Sequence, residues 1–179
     1  MITNTQAEER LDSRVIYQGK ILNLRVDRVK LPNNQEACRE VVEHAQAVAI
    51  VAMDGHKNVF LVRQYRYPVK KELLELPAGI LETGEEPLCG AQRELAEETG
   101  IKALHWQYLF SILSTPGFTD EQIHLFLARE LQFTVQDPDE DEFIKVVRVP
   151  FGQIPEMIRR GEICDAKSVA GLLGAGLYI

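Results

Sequence analysis

The stretch from Gly79 to Ile101, GILETGEEPLCGAQRELAEETGI, constrains the fold most strongly, because a glycine-bracketed loop leads directly into a helical pattern. Pro87 suits the first turn of a helix, where its missing N–H costs nothing. Gly100 stands where a residue in the left-handed conformation commonly ends a helix. This spacing predicts a loop followed by a helix between Pro87 and Gly100.

The predicted helix has one apolar side and one acidic side. Three apolar side chains recur at helical spacing and predict the buried side: Leu88, Ala91 and Leu95. Three carboxylates project from the other side: Glu94, Glu97 and Glu98. Because residues three and four apart are neighbours on a helix surface, these like charges repel one another. A solvated acidic face is the simpler interpretation of the helix alone, and a hard divalent cation among the carboxylates is the functional one.

The loop before the helix favours the functional interpretation. Gly79 and Gly84 bracket a segment that needs unusual backbone angles or a close approach to another group. Glu85 leads out of this loop, and Arg93 is placed to form a forked pair with a carboxylate, for which Glu85 is the candidate. Together with the acidic cluster, these residues predict a cation site at the junction of loop and helix.

The order of these residues resembles the Nudix box, with no position departing from the family pattern. Five residues separate Gly79 from Glu85, seven separate Glu85 from Arg93, and the chain then reads RELAEETGI. The resemblance implies a Mg²⁺-dependent hydrolase of a nucleoside diphosphate linked to another group.

The resemblance also implies roles for the box carboxylates. Glu94 and Glu98 match the main metal ligands of the family, and Glu97 matches an auxiliary one. Glu98 is accordingly counted among the catalytic residues. The implied cofactor is Mg²⁺, with Mn²⁺ or Zn²⁺ as substitutes and two or more ions per site.

Two further segments resemble ADP-ribose pyrophosphatases: VRQYRYP at 62–68 and LPAG at 76–79. In that subfamily the arginine matching Arg66 faces the substrate, and the carbonyl of the residue matching Ala78 often completes a metal's coordination. An ordinary strand with solvated arginines is the alternative interpretation, and for Arg63 alone it is the better one.

The segment STPGFTDE, residues 114–121, separates two predicted strands. A Pro-Gly pair between strands is most simply a turn. Its distance beyond the box resembles ADP-ribose hydrolases of the Nudix family, which implies substrate contacts at Pro116, Gly117 and Glu121.

An acidic segment, DPDEDEF at 137–143, precedes the last predicted strand. Such a run is usually a solvated loop. It resembles the acidic loop that closes over the site in ADP-ribose pyrophosphatases. By that register Glu140 is the general base and Glu142 an additional metal contact, although the two roles could be exchanged. A base outside the box is expected because a metal-bound carboxylate is a poor proton acceptor.

Composition bounds the possible partners. The 179-residue chain is 45% hydrophobic and has a net charge of -7, which argues against a nucleic-acid-binding surface. Three widely spaced cysteines without a CxxC pattern indicate reduced thiols of an intracellular protein. The polar N-terminus shows no secretory signal and the apolar tail is too short to span a bilayer. We therefore expect a cytoplasmic protein without nucleic-acid or membrane partners.

The first 45 residues are expected to form a separate antiparallel β unit. Residues before Ser13 predict a frayed or weakly helical arm. Alternating residues 14–31, broken at Gly19-Lys20, and residues 37–44 predict strands whose edges need a cover. Related ADP-ribose pyrophosphatases exchange such a unit between subunits, which implies a homodimer in which Arg39 or its neighbours reach the partner's substrate.

Residues 46–179 are expected to form the Nudix domain, of class α/β (α+β), with a mixed sheet sandwiched by helices. Strands are predicted at 48–53, 58–65, 73–77, 104–113, 123–131 and 144–149. A helix is predicted at 151–160. Asp165 is expected to cap a last helix from Ala166, with four side chains facing inward: Val169, Leu172, Leu173 and Leu177.

The expected reaction is hydrolysis of a nucleoside diphosphate sugar, with ADP-ribose as the favoured substrate and AMP and ribose 5-phosphate as products. GDP- or UDP-sugars and dinucleoside polyphosphates are alternatives of the same class. A ligand sensor without catalysis is another, against which the intact box carboxylates argue. A triphosphatase for damaged nucleotides is disfavoured by the Tyr65-Arg66 segment and the Pro116 loop.

Overall fold

The computed structural model describes residues 6–137 and 143–178. The chain forms two compact units. Unit 1 contains Met1–Ala45 and Leu113–Glu121, and unit 2 contains Gln46–Ile112 and Gln122–Ile179.

Unit 1 is built on a three-stranded antiparallel sheet. Its strands are β1 (Glu9–Gln18), β2 (Leu22–Lys30) and β3 (Glu36–His44), in that spatial order. β1 already begins at Glu9, so the expectation of a frayed or weakly helical arm is wrong for residues 9–12. Pairing of Arg10 with Val29 extends the strand where the polar sequence gives no local signal.

Unit 2 contains a seven-stranded mixed sheet. Its strands are β4 (Ala47–Met53), β5 (Asn58–Arg66), β6 (Lys71–Glu75), β7 (Ala78–Ile80), β8 (Ile101–Leu113), β9 (Gln122–Phe133) and β10 (Lys145–Pro150). The order is β10-β5-β4-β9-β8, with β6 paired to β5 and β7 paired to β4. β4 runs parallel to β9 and antiparallel to β5 and β7, so the predicted mixed sheet is confirmed.

Helices cover both faces of this sheet: α1 (Pro87–Thr99), α2 (Ile154–Arg159) and α3 (Ala166–Ala175). Val48 and Ile50 of β4 pack in one cluster with Leu95 of α1. Val51 packs in the cluster on the other face with Leu172 of α3. Every β4 residue is therefore buried, as expected for a strand covered on both sides, and the α/β/α sandwich is confirmed.

Some side chains lie differently from the sequence prediction. Leu88, Leu173 and Leu177, all expected to face inward, are exposed. On α3 the buried stripe contains Ser168 and Gly171 beside Leu172, and hydrophobicity alone does not detect such small residues. The helix predicted at 151–160 begins as a short 3₁₀ turn at Phe151–Gln153 before α2.

Within the described residues, none of the helices is long and apolar enough to cross a membrane.

Candidate active site

The loop between β7 and α1 is fastened to the helix by a forked ion pair. Arg93 donates from Nε to Oε1 of Glu85 (3.0 Å) and from Nη2 to Oε2 (2.9 Å), which confirms the predicted pair. The hydrogen bond from Arg93 holds the pKa of Glu85 below its usual range. Gly84 has φ +80°, which explains the glycine in this turn. Gly90 on α1 leaves room for Leu81 and Glu85 of the loop to approach the helix, a requirement that sequence reasoning missed.

Arg93 also contacts two of the helix carboxylates. Its Nη1 donates to Glu94 (2.7 Å) and to Glu97 (3.1 Å), and its Nη2 donates to the carbonyl of Ile80 (3.1 Å). The three nitrogens of one guanidinium thus make five hydrogen bonds. The repulsion expected among the box carboxylates is therefore offset in part by a cation of the protein itself.

The carboxylates of Glu94 and Glu98 meet the same short backbone segment from α1. Oε2 of the buried Glu98 accepts a hydrogen bond from the N–H of Ala78 (2.9 Å). The carboxylate of Glu94 lies against Gly79, where the methyl group of an alanine would overlap it. Gly79 is thus required by a close approach rather than by its backbone angles.

These groups provide the oxygen donors that a hard divalent cation prefers. Glu94 and Glu98 lie one helical turn apart, and the backbone of Ala78 and Gly79 passes beside both. Across 6–137 and 143–178, however, no three His, Cys, Asp or Glu side chains are grouped closely enough to hold a metal as they stand. A bound cation would therefore need backbone, substrate or water oxygens, or a carboxylate from outside the described residues, beside Glu94 and Glu98.

A second ionic cluster lies at the ends of β5 and β6. Arg66 donates from Nε and Nη2 to the two carboxylate oxygens of Glu75, both at 2.9 Å. Lys167 of α3 binds Oε2 of Glu75 and Oδ1 of Asp165, the latter at 2.8 Å. Arg66, a predicted substrate contact, is thus held by the carboxylate of Glu75, a residue that is only 1% exposed.

Sequence reasoning missed Glu75 and Lys167 as parts of this cluster. They are 92 positions apart, so no local pattern links them. A charged residue beside the apolar LPAG segment, at the end of a strand, was the available signal. Asp165 caps α3 as predicted, because it accepts from the N–H of Ser168 at 3.1 Å.

The chain that follows β9 is bound to the C-terminal end of α1. Thr134 donates its N–H to the carbonyl of Gly100 (2.6 Å), and Asp137 donates its N–H to the carbonyl of Glu97 (3.1 Å). The side chain of Gln136 donates to the carbonyl of Glu98 (2.6 Å). The acidic segment therefore starts beside the turn of α1 that carries Glu97 and Glu98.

Two predicted residues of the acidic segment, Glu140 and Glu142, lie outside the described residues.

The remaining predicted site residues belong to unit 1. Pro116 and Gly117 are exposed. The 114–121 loop is held on β3, because Val42 donates its N–H to the carbonyl of Phe118 at 2.7 Å. Glu121 lies 3.6 Å from Nδ1 of His44 on β3.

Arg39, also in unit 1, is exposed and ion-paired with Glu8. Its Nε lies 2.9 Å from Oε2 of that carboxylate.

The mixed α/β/α sandwich, with carboxylates of helix α1 against the short glycine-containing strand β7, defines a class of α/β protein with the arrangement expected from the box. The chain belongs to the Nudix family. The NUDIX domain model matches residues 43–171. A second model, described as the nucleoside diphosphate sugar hydrolase N-terminal domain, matches residues 8–42. The protein is thus a Nudix hydrolase, a family that generally depends on divalent metal ions.

Similar proteins cover nearly the whole chain. A methanol dehydrogenase activator of Bacillus methanolicus is 39% identical over 90% of this chain and 89% of its own. An ADP-ribose pyrophosphatase of Bacillus subtilis is 39% identical over 90% of this chain and 88% of its own. The crystal structure of an ADP compounds hydrolase shares the fold, with a TM-score of 0.88 at 20% identity, over 98% of this chain and 96% of that one.

Proposed function

We propose that this protein hydrolyses the pyrophosphate bond of a nucleoside diphosphate sugar, with ADP-ribose as the favoured substrate. Water and ADP-ribose would give AMP and ribose 5-phosphate. The observation that carries the proposal is the meeting of the Glu94 and Glu98 carboxylates at Ala78–Gly79, in the unit that also holds Arg66. Carboxylates suited to cations, combined with a fixed arginine, meet the needs of a doubly charged pyrophosphate.

Each residue has a defined part in this proposal. Glu94 and Glu98 would hold Mg²⁺ with the carbonyl of Ala78, and Glu97 would be an auxiliary ligand. Bound divalent cations offset the charge of the pyrophosphate and lower the pKa of the attacking water. Arg66 adds a fixed positive charge. Replacing Mg²⁺ with Mn²⁺ or Zn²⁺ would leave this charge unchanged.

The proton of the attacking water needs an acceptor other than a metal-bound carboxylate. We propose Glu140 for this role and Glu142 as a further metal contact, supported by the anchoring of the preceding Asp137 at the end of α1. Replacing Glu140 with Gln should leave ADP-ribose binding unchanged and lower kcat by ~10²–10⁴-fold, the usual share of general-base catalysis. If Glu140→Gln and Glu142→Gln both turn over like the parent, the base lies elsewhere.

The names of the similar proteins, and of the family model that matches residues 8–42, support the substrate class. One relative is named ADP-ribose pyrophosphatase, and the model matching 8–42 is named after nucleoside diphosphate sugars. The Bacillus methanolicus relative carries a different name at the same identity, so the substrate has to be established directly.

A substrate panel with Mg²⁺ tests the proposal. The panel contains ADP-ribose, GDP-mannose, a UDP-sugar, a dinucleoside polyphosphate and nucleoside triphosphates, and the readout is released phosphomonoester. ADP-ribose should give the highest kcat/KM, and EDTA should abolish turnover. Better hydrolysis of triphosphates would refute the nucleotide-sugar proposal while leaving the family unchanged, and binding of ADP-ribose without turnover would indicate a sensor.

The panel includes a metal-ligand variant with a matched control. Glu98→Gln should lower turnover by ~10²–10⁴-fold through lost stabilisation of the transition state. Because an amide oxygen can still accept from the N–H of Ala78, the thermal stability of the metal-free variant should change little. Glu72→Gln alters an exposed glutamate on β6 and should behave like the parent. Near-normal activity of Glu98→Gln would contradict the assignment.

We further propose that residues 1–45 form a dimerising domain attached to a Nudix domain at 46–179, and that two chains exchange the former. The supporting observation is that every residue of β1 is exposed in unit 1. β1 is an edge strand of the three-stranded sheet, and such an edge can pair with a second chain. In such a dimer Arg39, Pro116, Gly117 and Glu121 would contact the substrate.

A further inference from the structure

We propose that Glu75 is a positioning residue, whose buried carboxylate orients Arg66 for binding of the substrate's pyrophosphate while Lys167 holds that carboxylate from α3. The proposal rests on the proposed function. It gives a role to Glu75 and Lys167, two charged residues that have no part in the hydrolytic step described above.

Glu75 is buried in a way that demands an electrostatic explanation. The side chain of Glu75, at the end of β6, is only 2% exposed. A buried carboxylate is strongly destabilising unless it is paired and hydrogen-bonded. Burial by itself would raise the pKa of Glu75, but the hydrogen bonds of Arg66 and the charge of Lys167 outweigh it and hold the pKa below its usual value. Glu75 is therefore a fixed anion with two cations on it.

The fork on Glu75 defines the orientation of Arg66. Two bonds of 2.9 Å, from Nε and Nη2, fix the plane of the guanidinium and leave Nη1 outside the fork. The side chain of Arg66 remains 39% exposed, so an anion from solution can reach this side chain. Its pKa is raised first by the hydrogen bonds to Glu75, and the charges of Glu75 and Glu98 raise it further.

Lys167 holds Glu75 in its turn. Its ammonium binds Oε2 of Glu75, the oxygen that Nη2 of Arg66 also uses, and is itself paired with the helix cap Asp165. The next residue after Glu75 is also bound to α3, since Leu76 donates its N–H to Oγ of Ser168 at 2.7 Å. The first residues of α3 thus fix both the carboxylate that orients Arg66 and the start of the segment leading to Ala78.

A double-mutant cycle on binding separates positioning from general support of the fold. Inorganic pyrophosphate and ADP-ribose are titrated in EDTA by calorimetry into the parent, Glu75→Gln, Arg66→Ala and the double variant. A glutamine offers one acceptor where the carboxylate offers two, so the fork is lost. We expect Glu75→Gln to weaken binding by ~10-fold in the parent and by less than ~2-fold in the Arg66→Ala background, since a misplaced group loses much of its effect.

Two other variants keep the test decisive if Glu75→Gln folds poorly. Lys167→Met leaves the fork intact, and its smaller loss of binding should also disappear in the Arg66→Ala background. Glu72→Gln, three positions earlier on β6 and exposed, is the matched control and should bind like the parent. Thermal unfolding of each variant shows whether the fold is kept.

The outcomes distinguish this inference from the proposed function. Equal losses with and without Arg66, or no loss in either glutamate or lysine variant, would overturn the positioning role. Pyrophosphate is common to all the candidate substrates, so the cycle still reports on Glu75 if ADP-ribose proves to be a poor substrate in the panel. A parent that binds neither probe in EDTA would overturn the positioning role alone, because the substrate panel tests hydrolysis separately in the presence of Mg²⁺.

Discussion

Arg93 shows how much of the site depends on the shape of one side chain. Its five hydrogen bonds join the loop carboxylate, two helix carboxylates and the carbonyl at the end of β7. Lysine carries the same charge on a single nitrogen with three donors and cannot reproduce the fork. The arrangement therefore requires an arginine at this position, independent of any metal ion.

Arg93→Lys should lower kcat/KM for ADP-ribose by up to ~10²-fold, because Glu94 and the loop lose their common support. The apparent Mg²⁺ requirement, measured as the concentration giving half-maximal rate, should rise. Arg63→Lys, which alters an exposed arginine on β5, is the control. Parent-like activity of Arg93→Lys would mean that charge alone matters at this position.

At the scale of the elements, the end of α1 combines two constraints in one glycine. Gly100 has φ +65°, as the cap prediction required. A Cβ there would also lie 2.7 Å from the carbonyl oxygen of Thr134 and 2.8 Å from the nitrogen of Gln136. The cap thus doubles as the surface on which the chain leaving β9 is anchored.

The two constraints can be separated with a second glycine. Gly100→Ala and Gly84→Ala both introduce a side chain at positive φ, but a Cβ at Gly84 would meet nothing within 4 Å. Gly84→Ala should cost only the left-handed backbone, ~1–2 kcal/mol of unfolding free energy. Gly100→Ala should cost more and also reduce kcat, since the segment leading to Glu140 is displaced. Equal losses in urea denaturation would show that the close approach is not costly.

The hairpin between β4 and β5 predicts a pH effect. Asp54 accepts from the N–H groups of His56 (2.9 Å) and Asn58 (2.8 Å) and from Arg148 (2.6 Å). Burial alone would raise the pKa of Asp54, but these bonds lower it to about 2. Because the folded pKa lies below the unfolded value of 3.8, the stabilisation is complete above that value and is lost as the pH falls towards 2.

Asp54→Ala should therefore destabilise the protein at pH 7, and its difference from the parent should shrink between about pH 4 and pH 2. Urea denaturation at several pH values measures this difference. Arg148→Ala removes one of the three partners and should show a smaller effect with the same pH dependence. A difference that stays constant over this range would exclude the Asp54 carboxylate as its source.

Elements whose signal is local could be predicted from the sequence. Pro87 and Gly100 marked the two ends of α1, and the apolar run predicted β4. Helix capping and hydrophobic periodicity depend on nearby residues, so both can be recognised from the sequence. The contacts that build the site are different. The Glu75–Lys167 pair joins residues that only the tertiary fold brings together, and the stripe on α3 runs through Ser168 and Gly171, which carry no hydrophobic signal.

The net charge of the whole molecule has the same sign as the charge of the proposed substrate. A chain with a net charge of -7 repels an anionic nucleotide sugar at long range. The attraction must therefore be local, from metal ions, Arg66 and, in the proposed dimer, residues of unit 1. Binding of the substrate therefore depends on whether all of these groups are brought together in one site.

The exposed surface of unit 1 supports the dimer. Three large apolar side chains of β1, Val15, Ile16 and Tyr17, have exposed fractions of 63%, 47% and 58%. Exposed apolar side chains on an edge strand mark an interaction surface. We expect sedimentation velocity to show a dimer, with the activity per chain falling on dilution through the dissociation constant. A fully active monomer at low concentration would refute the proposal.

Complementation between variants tests whether each site is completed by its partner. Arg39→Ala affects unit 1, and Glu98→Gln affects unit 2, so each homodimer should be weakly active. A mixed dimer with exchanged units would combine the intact Glu98 of one chain with the intact Arg39 of the other at one of its two sites. Random co-assembly should then recover about a quarter of the parent activity, since half of the dimers are mixed. Arg28→Ala, an exposed arginine of β2 paired with Glu36, is the control for Arg39→Ala and should be active alone. If the mixture gains nothing over the separate variants, each chain completes its own site and the exchange proposal fails.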